Sequence, residues 1–78
     1  MTRQKKPKLV IAFNATTQAL AFDDIYKCGR LIPLPAEVSA GCGLAYCVDL
    51  EFENDVDEIL QIHNVVYAKK QVVLMYGF

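Results

Sequence analysis

The chain predicts an α+β domain with two helices on one face of a four-stranded antiparallel sheet. Three observations lead there. Short runs rich in β-branched and aromatic residues recur at Lys8–Phe13, Arg30–Pro35, Leu44–Phe52 and Gln71–Tyr76. Two stretches, one from Thr17 to Lys27 and one opening at Asn54-Asp55, carry apolar residues at helical spacing. The resulting order is strand, helix, strand, strand, helix, strand.

Each element has a local reason. Lys8-Leu9-Val10-Ile11-Ala12-Phe13 is a short apolar run rich in β-formers, so it reads as the first strand. Asn14, Thr16 and Thr17 offer side chains that cap helix N-termini. Ala19, Phe22 and Tyr26 then form one apolar stripe, and Gly29 is the expected left-handed residue closing that helix. Pro33 and Pro35 cannot donate to a ladder, so the second strand belongs at a sheet edge. A loop from Ala36 to Gly43 follows. In the third strand, Leu44 to Phe52, Leu44, Tyr46, Val48 and Leu50 share one face, and Ala45, Cys47, Asp49 and Glu51 share the other. The second helix has Glu53, Asp55, Asp57 and Glu58 near its positive end. Val56, Ile59, Leu60 and His63 form its stripe, and Asn64 stops it. This is the ferredoxin-like βαββαβ pattern, whose usual strand order is 4-1-3-2.

Composition narrows the function. A chain of 78 residues is a single domain, and 54% hydrophobic content suits a compact one. The expected division is a flexible basic tail over residues 1–8, with Arg3, Lys5, Lys6 and Lys8, and one domain over residues 9–78. A net charge of −1 and a pI near 5.7 argue against nucleic acid as a partner. No apolar run suggests a membrane span or a secretory leader. Three cysteines do not form a secreted disulfide framework, so a cytoplasmic setting is expected. The apolar content also suits a homodimer.

The segment Ser39-Ala40-Gly41-Cys42-Gly43 carries the chemistry. Glycines on both sides of a cysteine let the backbone come close to another group, which a buried structural thiol does not need. The topology collects this loop, the first helix N-terminus and the end of the second helix at one rim. Asn14, Thr16 and Thr17 are there the candidates for stabilising an anion, since a helix N-terminus lowers a thiolate pKa. Ser39, Gly41 and Gly43 support the loop, and His63 is a candidate proton donor. Cys47 is a candidate resolving thiol, set against a plain buried role. No metal or other cofactor is expected, because Cys42, Cys47 and His63 lack paired ligand spacing.

Arg30-Leu31-Ile32-Pro33 with Pro35, then Ser39-Ala40-Gly41-Cys42-Gly43-Leu44, resembles the Se/S carrier protein-like family of small bacterial proteins. Thr16-Thr17 with Ala19-Leu20 extends the match. The resemblance implies that Cys42 accepts and donates sulfur or selenium as a persulfide or selenosulfide. It also implies a donor enzyme and an acceptor protein as partners, and a carrier more than a stand-alone enzyme. Two other readings fit the residues: a non-catalytic interaction or regulatory module, and a thiol redox switch using Cys42 and Cys47.

Overall fold

The structure is a computed structural model that describes residues 5–36, 38 and 43–76, with Tyr76 described by its backbone alone. Its elements are β1 (Lys5–Ala12), α1 (Thr16–Ile25), β2 (Arg30–Pro33), β3 (Leu44–Asp49), α2 (Glu53–Ile62) and β4 (Lys69–Tyr76). A single 3-10 turn, Leu50–Phe52, links β3 to α2. The sheet order is β2-β3-β1-β4 and every neighbouring pair is antiparallel. Read from the other edge this is 4-1-3-2, the expected α+β architecture consistent with a ferredoxin-like fold.

Alternation along the strands builds a core on each face of the sheet. Leu9, Ile11, Tyr46 and Val48 face the helices and meet Ala19 and Phe22 of α1 and Val56 and Leu60 of α2. The Phe22 and Tyr46 rings meet edge-on, with centroids 4.9 Å apart. That is a favoured aromatic geometry, and full burial of a ring such as Phe22 stabilises by about 1.5–3 kcal/mol. On the opposite face Val10, Ala12, Ala45, Cys47 and Val73 form a second cluster. No helix covers it. Val38, from the loop between β2 and β3, packs into it at 3% exposure, with Ile32, Leu34 and Met75 around the margin.

Several expectations shift. β1 begins at Lys5, so Lys5 to Lys8 are strand residues paired with Tyr76 to Val73, and the expected tail does not extend through them. Residues 1–4 lie outside the described part. Lys8 is buried, with its ammonium on the Asp49 carboxylate directly across the β1–β3 ladder. An ion pair is what makes burial of a lysine tolerable. Pro7 falls where β1 pairs with β4 alone, since the β1–β3 ladder starts at Lys8.

Gly29 does not cap α1, which ends at Ile25 with Tyr26 as its C-cap. A Cβ at Gly29 would lie 2.3 Å from the Cys47 carbonyl oxygen and 2.7 Å from the Tyr46 ring. Glycine stands there because β3 passes too close for any side chain. Nor do Asn14, Thr16 or Thr17 cap α1 through side chains. The N-cap is Ala15, and the Gln18 side chain reaches back to accept the Asn14 N–H at 3.2 Å.

Asn64 does stop α2. Its φ is 51°, the left-handed turn that asparagine tolerates. The Asn64 N–H donates to Gln61 and the Val65 N–H to Leu60, which together make a Schellman closure. Val65 then packs against the core where His63 was expected, and His63 is left exposed.

Candidate functional site

The register of the sheet sets the rim. Ile32, Ala45, Ala12 and Lys69 lie in one row across all four strands. Just beyond that row β1 turns through Phe13 and Asn14 into α1. On the same side Pro33 pairs with Leu44, and the Leu34 N–H donates to the Gly43 carbonyl at 2.9 Å. This bond closes the base of the loop that carries Cys42. The Ala68 N–H donates to the Ala12 carbonyl at 2.7 Å, which brings the segment entering β4 to the same rim. The loop base, the start of α1 and the start of β4 are thus neighbours by backbone geometry.

Ser39, Gly41 and Cys42 lie outside the described residues. The loop is known from its two ends and from Val38. Gly43 has φ of 79°, and open space surrounds the position a Cβ would take. Glycine is required there for its backbone angle alone. Val38 closes a turn onto the Pro35 carbonyl at 3.0 Å and buries its side chain under the sheet. The loop is therefore tied down on both sides of residues 39–42.

Asn14, Thr16 and Thr17 are exposed at the rim. Thr16 and Thr17 are the first two helical residues, so their amides have no acceptor within α1, as at any helix start. Their backbone N–H groups and the helix dipole are what this end offers to an anion. His63, the C-cap of α2, lines a shallow apolar groove with Gln18, Ala21, Ile25 and Val66. That groove lies in the helix layer, while Val38 sits on the opposite face of the sheet.

Cys47 is fully buried among Val10, Ala45 and Met75, with the Met75 sulfur 3.9 Å away. Burial pushes its thiol pKa up, Lys8 partly opposes this, and Asp49 adds to the rise. A thiol held protonated and out of solvent is a slow nucleophile. Cys28 is exposed at the far rim, beside a small cleft lined by Lys8, Arg30, Cys47 and Asp49.

Two structural residues escaped sequence reasoning. Val38 is the anchor of the loop, and the signal was a lone branched aliphatic between Pro35-Ala36-Glu37 and the Ser-Ala-Gly segment. Tyr46 is the other. Its hydroxyl accepts the Gly29 N–H at 2.9 Å and donates to the Tyr26 carbonyl at 2.5 Å, so it holds the turn between α1 and β2 to the sheet. No local pattern announces such a bond.

Among the described residues, no helix is long and apolar enough to cross a membrane. No curated protein matches the chain, and no solved structure does. Residues 8–70, which include every helix and the loop between β2 and β3, match the family described as putative Se/S carrier protein-like, and the chain belongs to that family.

Proposed function

We propose that Cys42 is the carrier atom and that it holds sulfur or selenium as a persulfide or selenosulfide between a donor enzyme and an acceptor protein in a reducing cytoplasm. The observation that carries this reading is a single cysteine between two glycines, in a member of a family described by that cargo. The rim supports it. The base of the loop adjoins the start of α1, where free amides and the helix dipole favour an anion.

The step is a thiolate exchange. The Cys42 thiolate attacks the outer sulfur of the donor's persulfide. A new S–S bond forms on Cys42, the donor's S–S bond breaks, and the donor leaves as a thiolate. Discharge repeats this with the acceptor's thiolate as nucleophile. No net oxidant is consumed. A thiol whose pKa lies near ambient pH serves both directions best. Cys47, buried and protonated, takes no part in the transfer itself.

The test is intact mass after incubation with a cysteine desulfurase and cysteine. The wild-type chain should gain sulfur and Cys42→Ser should gain none. A wild-type chain that stays unmodified, or a variant that gains as much, overturns the reading. In the same samples, the alkylation rate of Cys42 against pH should report a pKa below that of a free thiol.

A further inference from the structure

The two edges of the sheet are unlike. β2 offers four residues, one of them Pro33, and Pro35 follows. Proline has no N–H, so this edge is blunted against pairing. β4 is eight residues long, contains no proline, and among the described residues has a backbone partner only on its β1 side. Its helix-side residues Val72 and Leu74 are 46% and 62% exposed. Lys69 and Lys70 guard one end of this edge, and the apolar stretch beyond them, Val72 to Met75, is a template for another strand.

We propose that this edge pairs antiparallel with β4 of a second copy of the chain, centred on Val73. Three features select a second copy. First, paired residues must lie on the same face, because successive side chains alternate. Centring the two-fold on Val73 satisfies this, and it sets Val72 opposite the partner's Leu74 and Leu74 opposite the partner's Val72. The four exposed apolar side chains then cover one another. Second, the charges fit. Lys69 and Lys70 both stand at the start of β4, and Lys70 is held by Asp57 of α2. Antiparallel pairing sends the two lysine pairs to opposite ends of the joint, and Lys70 meets the partner's Tyr76 in place of a like charge. Third, the blunted β2 edge stops a head-to-tail chain, so association closes at two copies.

The result is one continuous eight-stranded sheet with all four helices on one side. The loops between β2 and β3 lie at its two outer edges and at opposite ends. The two loop bases, at Leu34 and Gly43 of each copy, are therefore kept apart by the width of the joined sheet.

Sedimentation of the full chain over a wide concentration range tests this. The wild type should be a dimer. Leu74→Lys and Val72→Lys change exposed positions, should keep the native far-UV spectrum, and should sediment as monomers. The register is tested by rescue. Val72→Lys/Leu74→Glu places opposite charges across the joint and should restore a dimer that salt weakens. Val72→Lys/Leu74→Lys should stay monomeric. A monomeric wild type overturns the proposal. So does a dimer that the single variants leave intact, and equal behaviour of the two double variants overturns the register.

Discussion

Replacing Tyr46 with phenylalanine removes one oxygen atom from the centre of the domain and leaves the ring in place. The ring is fully buried and keeps its edge-on contact with Phe22. What is lost is a relay of two hydrogen bonds, from the Gly29 N–H to the hydroxyl and from the hydroxyl to the Tyr26 carbonyl. A typical bond contributes about 1 kcal/mol net, and each buried backbone group left without a partner costs about 1–3 kcal/mol. Gly29 is only half-buried, so water recovers part of the loss there. The expected destabilisation of Tyr46→Phe is therefore about 2–3 kcal/mol. That is a large share of the total for a domain this small, where stability is about 0.05–0.15 kcal/mol per residue. The chain has no tryptophan, so urea unfolding is followed by far-UV circular dichroism. With a slope of about 1 kcal/mol/M, the midpoint should fall by about 2–3 M. The matched control is Tyr67→Phe, at a tyrosine 38% exposed, which should leave the midpoint in place. A loss below about 0.5 kcal/mol at Tyr46, within the range of an ordinary surface change, would refute the argument that this hydroxyl ties the turn to the sheet.

Two further outcomes follow from the packing. Val38→Ala removes two buried methyl groups and should cost about 2 kcal/mol. It should also speed proteolytic cleavage between Pro35 and Leu44, and an unchanged cleavage rate would mean that Val38 does not anchor the loop. Stability should fall as pH rises above about 9. Burial raises the Cys47, Tyr46 and Tyr26 pKa values from 9.0, 10.0 and 10.0, and the Asp57 hydrogen bond raises Lys70 from 10.5. Each group is raised in the folded state, so the native chain holds protons that the unfolded chain releases, and all four contributions fade as pH rises. Thermal melts from pH 7 upward check this, and Cys47→Ala should delay the onset of the decline toward pH 10.

The element order was legible because its signals are local. Alternation from Leu44 told the two sheet faces apart as far as Asp49, where the expected strand gives way to a 3-10 turn over Leu50–Phe52. Asn64 could be seen to stop α2 because tolerance of a left-handed turn belongs to the residue itself. The prolines of the second strand predicted an edge because a missing N–H is missing in any context. The cysteine between two glycines was equally visible, as was the family it resembles.

Distant pairs decided the rest. Lys5 to Lys8 look like a solvated tail until β4 lies beside them and Asp49 stands opposite Lys8. Gly29 looks like a helix cap until the Cys47 carbonyl passes over it. His63 fits the apolar period of α2, but the chain turns at Asn64 and Val65 fills the core instead. Periodicity and propensity are properties of neighbours along the chain, so sequence alone determined which segments become strands and helices and which loop bears the thiol. Burial, ion pairing and close approach arise between residues that only the folded sheet makes adjacent, and there tertiary structure alone decided which lysine is buried, which glycine is obligatory and how the thiol's loop is held.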